Sequence, residues 1–269
     1  LENHLNQIFA VGHGHIDPTW LWRWTEGYEE VHATFRSALD RMDETETFFF
    51  SASSACFYQW IKESDPELFA SIRKRVKEGR WEIVGGLWVE PDCNIPSGES
   101  FVRHALYSQR FFMREFGRKA TVGFNPDSFG HAGTLPQLLR KAGIKHYVYM
   151  RPEPVTEMQY PDGTVFWWEA QDGSRILTSI IPLDYVADKG IREKISRLQR
   201  YPHKATGQKH ILCFYGVGNH GGGPTKACIR EIQRMQQEPD RSASIVFSRM
   251  DTFFESFLSE MKEEDIPVI

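Results

Sequence analysis

His13, His15 and Asp17 stand at alternate positions just after an apolar run, Ile8, Phe9, Ala10 and Val11. Such a run reads as a buried strand, and strand side chains alternate between faces. If the strand carries on, both imidazoles and the carboxylate share one face. Three such groups at a strand end suit a metal site better than a polar strand end wetted by solvent, the more so with Pro18 and Trp20 directly behind. A further acid, Asp127, follows a second apolar run and Pro126, and precedes Ser128, Phe129, Gly130 and His131. Fixed there it suits a nucleophile or a metal ligand; the plain alternative is a turn or helix-capping acid before Gly130. Neutral histidine with ionised aspartate suits a divalent, borderline-soft ion, and zinc accepts such a set at about 2.0–2.2 Å. His15, Asp17 and Asp127 supply three ligands. His131 is read as a hydrogen-bonded structural histidine.

Other chemistry-bearing residues sit in loops. Glu90 and Asp92 are rim acids, or simply solvated loop charges. Arg151 closes a strand and suits an oxygen-rich ligand or a loop acid. His220 precedes Gly221, Gly222 and Gly223. That glycine run lacks the following Lys-Ser/Thr of a phosphate loop and meets Pro224 instead. It reads as a tight backbone approach to a substrate, with His220 offered into the mouth.

The elements that must position these groups follow a rhythm. Apolar segments at 8–11, 48–51, 81–88, 120–124, 146–151, 210–215 and 245–247 read as strands, each leading through a polar loop toward a helix. Helices are expected over 22–42, 55–62, 66–79, 97–116, 135–142, 192–200, 225–237 and 251–262. Segments 166–169 and 176–181 read as a β-pair around Asp172 and Gly173. Strand, loop and helix repeated about seven times implies parallel strands with crossover helices, in a β/α barrel or an open doubly wound sheet. In a closed barrel the loops after the strands converge on one mouth.

Composition sets the outer bounds. The chain has 269 residues, 41% hydrophobic and 25% charged, an ordinary globular balance. A net charge of −4 gives no reason to expect nucleic acid or an acidic membrane as partner. No apolar run is long enough to span a bilayer, and no signal peptide is evident, although the chain starts at Leu1 and a targeting segment could have been lost. Cys56, Cys93, Cys213 and Cys228 form no Cys-x-x-Cys pair and read as buried hydrophobes or free thiols in a reducing, hence cytoplasmic, setting.

Taken together, three stretches resemble glycoside hydrolase family 38, the α-mannosidases. They are His13-Gly14-His15-Ile16-Asp17-Pro18-Thr19-Trp20, Asn125-Pro126-Asp127-Ser128-Phe129-Gly130-His131 and Gly218-Asn219-His220-Gly221-Gly222-Gly223-Pro224-Thr225. Trp88-Val89-Glu90-Pro91-Asp92 and Pro96-Ser97-Gly98-Glu99-Ser100 look like its bacterial branch. The resemblance runs the length of the chain. It implies a seven-stranded parallel β/α catalytic barrel over residues 1–269 and a zinc-dependent retaining reaction on mannosides or oligosaccharides. It implies His15, Asp17 and Asp127 as zinc ligands, with Asp127 also attacking the anomeric carbon. Trp20 and Phe129 would line the sugar subsite, and Arg151 and Tyr185 would contact substrate or nucleophile. A fourth zinc ligand, a histidine, is expected beyond position 269, in a longer multidomain protein. A piece cut from it would expose apolar surface and favour a homo-oligomer. Some members of the family carry an acid/base aspartate in the glycine-run motif, where Asn219 and His220 stand here; His220 is the proton-donor candidate by position.

The same residues also suit a metal-dependent polysaccharide deacetylase with a water nucleophile, or a fragment that holds mannose without cleaving it.

Overall fold

The computed structural model describes residues 5–152, 163–187, 190–201, 207–218, 221–239 and 242–269. Nine strands lie in three sheets among these residues. In the first, β1 (Gln7–Gly12) lies between β8 (His210–Tyr215) and β9 (Ser244–Ser248), all parallel. In the second, β2 (Phe50–Ala52) pairs in parallel with β3 (Trp81–Ile83). In the third, β4 (Val122–Asn125), β5 (His146–Tyr149) and β7 (Arg175–Ile180) run parallel, and β6 (Val165–Glu169) closes the edge antiparallel to β7.

The helices are α1 (Trp24–Glu44), α2 (Ala55–Ser64), α3 (Pro66–Lys77), α4 (Gly98–Phe116), α5 (Leu135–Lys141), α6 (Ile191–Leu198), α7 (Lys226–Gln236) and α8 (Met250–Glu260). Local chemistry starts and stops them where the sequence suggests. Ser97 caps α4 by accepting from the Ser100 amide, and Thr225 caps α7 by accepting from Cys228. Gly117 ends α4 in the left-handed conformation at φ 69°.

The continuous seven-stranded parallel ladder expected from the sequence is not what the hydrogen bonds draw. The sheets are small, and one is mixed. The apolar stretch 81–88 stays extended only to Ile83, because Gly85 and Gly86 take φ of +83° and +69° and turn the chain away. Single contacts join the pieces: a bridge between His13 and Ser51, and the Gly85 amide donating to the Val122 carbonyl.

One interior nevertheless runs under the first and third sheets and reaches Val84, just past the second. Phe9 and Val11 of β1, Val84, Val122 and Phe124 of β4, Val148 of β5, Leu177 of β7, and Leu212 and Phe214 of β8 belong to one buried cluster. The alternate residues, among them Ile8, Ala10, Ile211 and Cys213, face the helices in another. Each large side chain so buried contributes about 1.5–3 kcal/mol, which fixes strand register. His13 continues the inward parity of Phe9 and Val11, and its ring lies edge-on to Phe124 and Phe214. The mouth above that interior is where His15 and Asp17 arrive.

Candidate active site

Past β1 the segment 13–18 lies against α1. This is possible because Gly27 has no side chain; a Cβ there would sit 2.2 Å from the Pro18 carbonyl oxygen. The path brings His15 beneath the loops after β3, β4 and β7. His15 is buried, at 3% exposure. Its Nε2 lies 3.3 Å from Asp17 Oδ1 and 4.0 Å from Asp127 Oδ2. Its Nδ1 lies 3.2 Å from Glu90 Oε2. Burial alone would strip a proton from His15, but Glu90, then Asp17, outweigh it and lift its pKa to about 10. The surrounding carboxylates demand a positive charge at this point.

Asp127 sits at the end of β4. Its Oδ1 accepts from Arg151 Nε at 2.5 Å, leaving Oδ2 turned toward His15. The Arg151 guanidinium also lies over the Phe129 ring, 5.7 Å from its centroid. His131 holds Arg151 from behind: Nε2 is 2.7 Å from the Arg151 carbonyl, and Nδ1 is 3.0 Å from the Tyr147 hydroxyl. With Nε2–H donating to the carbonyl, Nδ1 accepts from the phenol. Burial lowers the His131 pKa and keeps this tautomer neutral.

Tyr185 is buried beside the histidines, its ring 5.3 Å from that of His15. Its carbonyl is 2.6 Å from His13 Nε2. Burial holds the His13 pKa down at about 3, and with Nε2 at that carbonyl His13 is a neutral interior donor. Burial also pushes the Tyr185 phenol up, with Asp127 adding to it. The loop carrying Tyr185 is pinned by Lys194, whose buried ammonium donates to the carbonyls of Asp184, Val186 and Phe214.

A cavity of about 260 Å³ opens here, and its lining includes His15, Asp17, Trp20, Glu90, Asp92, Asp127 and Phe129. Trp20 and Phe129 are 57% and 75% exposed, so their rings are open to a ligand. A larger groove of about 570 Å³ between α4 and α5 shares no lining residue with it and holds no imidazole or carboxylate. The chemistry therefore belongs to the smaller cavity.

Several expectations change. Asp92 keeps its place at the rim of the cavity but also closes its own turn: its Oδ1 accepts from the amides of Asn94 and Ile95, which lower its pKa. The glycine run approaches protein, since the Gly222 amide donates to Thr34 Oγ1 and a Cβ on Gly221 would meet that same oxygen at 2.6 Å. His220 lies outside the described residues.

The donor types, one imidazole and two carboxylates, suit a divalent cation. Neither His15 nitrogen makes an aligned hydrogen bond although both are buried, and Nε2 faces two carboxylates. Four-coordinate zinc with bonds of about 2.0–2.2 Å places neighbouring donors roughly 3.3–3.6 Å apart. The His15–Asp17 spacing falls there, and the spacing to Asp127 is wider. Among the described residues no group of three His, Cys, Asp or Glu is already drawn into metal-holding geometry. Asp127, held by Arg151, is the member standing off.

The sequence matches the family model described as "Glycosyl hydrolases family 38 N-terminal domain" over residues 6–269. The chain belongs to glycosyl hydrolase family 38. Among its relatives, this family 38 domain is 39% identical over 251 residues to alpha-mannosidase G of Dictyostelium discoideum, spanning 92% of this chain and 23% of that protein. It is 31% identical over 271 residues to the alpha-mannosidase of Saccharomyces cerevisiae, spanning 98% and 25%. The domain thus spans about a quarter of the length of these relatives. Its fold matches the crystal structure of an alpha-mannosidase from Enterococcus faecalis V583 with a TM-score of 0.84, at 20% identity, over 98% of this chain and 30% of that one.

Of the site residues expected from the sequence, the family 38 domain brings His15, Asp17, Asp127, Trp20, Phe129, Arg151 and Tyr185 to one mouth. The contact of Glu90 with His15, and the grip of His131 and Tyr147 on Arg151, had no signature in residue order.

Proposed function

We propose that this domain carries the active site of a zinc-dependent retaining α-mannosidase acting on terminal α-mannosides of oligosaccharides. The observation that carries the proposal is His15 Nε2 facing the carboxylates of both Asp17 and Asp127 in a cavity bordered by Trp20 and Phe129. His15, Asp17 and Asp127 would hold the ion, with a histidine outside residues 1–269 as fourth ligand. Zinc bound there supplies positive charge beside Asp127 and positions for neighbouring sugar hydroxyls.

The chain's own groups do the rest. Asp127 attacks the anomeric carbon; the bond to the leaving oxygen breaks as that oxygen takes a proton, and water later releases the sugar from Asp127. Arg151 fixes one Asp127 oxygen, so the other is presented in one direction. Trp20 and Phe129 offer apolar faces to the ring. We assign the proton donor to His220 by its place in the sequence. The three sheets are read as arcs of one seven-stranded barrel, because β1, β4, β5, β7 and β8 share an interior. A cytoplasmic location fits four cysteines that are buried and unpaired. Among the described residues no helix is long and apolar enough to cross a membrane.

The test is turnover of an aryl α-mannoside by the full-length protein and by its Asp127→Ala variant. Loss of about 10³-fold or more with a folded variant supports the assignment. Near-normal turnover by Asp127→Ala would overturn it. Deacetylation of an acetylated glycan without mannoside cleavage would move the site to the deacetylase class.

A further inference from the structure

We infer that Glu90 is a positioning residue that commits His15 to presenting Nε2, and not Nδ1, to the cation. The inference rests on the proposed zinc site.

Glu90 follows β3, in a different loop from all three candidate ligands. Its two oxygens are both engaged. Oε2 lies 3.2 Å from His15 Nδ1, and Oε1 accepts from Ser53 Oγ at 2.7 Å. Ser53 is itself buried, just past the end of β2. Three residues from three loops line up: Ser53 hydrogen-bonds Glu90, and Glu90 stands as the charged neighbour of His15 Nδ1.

The chemistry of imidazole gives this arrangement its purpose. A neutral ring carries one N–H and one lone pair. An ionised carboxylate only accepts, so Glu90 at Nδ1 draws the N–H to that nitrogen. The lone pair is then on Nε2, the nitrogen that faces Asp17 and Asp127. Without Glu90, those two acids would draw the N–H to Nε2, and the lone pair would point away from the site. Glu90 lines the same cavity but approaches His15 at Nδ1, the nitrogen opposite the one that faces Asp127, so its influence on the cation runs through His15. The Tyr185 ring, edge-on to His15 at 5.3 Å, hinders a flip that would undo the choice. Asp92, two residues on, is a ready control, because its Oδ1 is occupied by its own turn amides.

Carboxylates behind metal-binding histidines typically matter by 10–100-fold in metal affinity. In the full-length protein, zinc affinity is measured by competition with a chromogenic chelator, alongside melting of the metal-stripped forms. Glu90→Ala is expected to weaken zinc binding by about 10–100-fold. Ser53→Ala, which frees Glu90 without deleting it, is expected to weaken it by less, and Asp92→Asn to leave it at the wild-type value. Ser53→Ala and Glu90→Gln carry the test if Glu90→Ala does not fold. Wild-type affinity in folded Glu90 and Ser53 variants would overturn the inference and leave the zinc site standing. A wild-type protein that takes no zinc from the chelator would overturn both.

Discussion

Arg151 and His15 divide the carboxylate of Asp127 between them: the guanidinium Nε is 2.5 Å from Oδ1, while His15 Nε2 is 4.0 Å from Oδ2. One oxygen is tied to a fixed cation and the other faces the cavity. A carboxylate proposed as nucleophile must be aimed, and the Arg151 contact fixes the direction of Asp127 while leaving Oδ2 toward the cavity.

Arg151→Met should therefore damage catalysis more than binding. Losing one charge-assisted contact to a reacting group typically costs about 10²–10³ in kcat. The expected result is a fall of that size with KM changed by less than about tenfold. Steady-state kinetics on an aryl α-mannoside checks it, and a change confined to KM would contradict it.

Phe129 is 75% exposed, so its ring does little for the fold. Phe129→Ala should leave the melting temperature nearly unchanged, with ΔΔG within about 0.5 kcal/mol. If the ring is a sugar platform, KM should rise several-fold or more. Thermal melting and kinetics on the same preparation separate the two effects.

His146 tests the electrostatics of the core independently of the site. It stacks on Phe254 at 4.3 Å, and burial lowers its pKa to about 4. The sign follows from linkage. Below its ordinary value of about 6.5 the unfolded chain binds a proton that the native state refuses. Stability is therefore lost as pH falls from about 6.5 toward 4. His146→Phe keeps the stacked ring and removes the titration. Melting at pH 7.5 and pH 5 should show a smaller acid loss in the variant, by about 1–3 kcal/mol. Equal acid loss in both proteins would contradict the buried neutral assignment.

The parity of β1 pointed to the mouth, although the strand itself ends at Gly12, before His15 and Asp17. Phe9, Val11, His13, His15 and Asp17 alternate in the sequence, and the odd face that packs the interior leads to the mouth. The same parity could not say that His13 stops inside; Phe124, Phe214 and the Tyr185 carbonyl, all remote in sequence, decide that. Asp127 was legible as a strand-end acid. Arg151 was legible as a strand-end cation for a ligand or a loop acid, and the structure shows that the acid is Asp127. Glu90 and Asp92 look alike in the chain, yet one meets an imidazole and the other caps its own turn. The long apolar stretch 81–88 suggested a full strand, and two glycines with positive φ cut it short. The glycine run at 221–223 suggested a substrate loop, but what it accommodates is Thr34 of α1. Alternation and punctuation are local and survive in the sequence; pairing between loops is not.

The central claim is that Asp127 attacks the sugar from a site shared with His15 and Asp17. It is tested most directly by trapping the full-length protein with a slow fluorinated α-mannosyl substrate and mapping the label by peptide mass spectrometry. The account predicts one covalent mannosyl adduct on Asp127, formed by the zinc-loaded protein and lost in His15→Ala. A label on another carboxylate, or turnover with no adduct and inverted product, would contradict it.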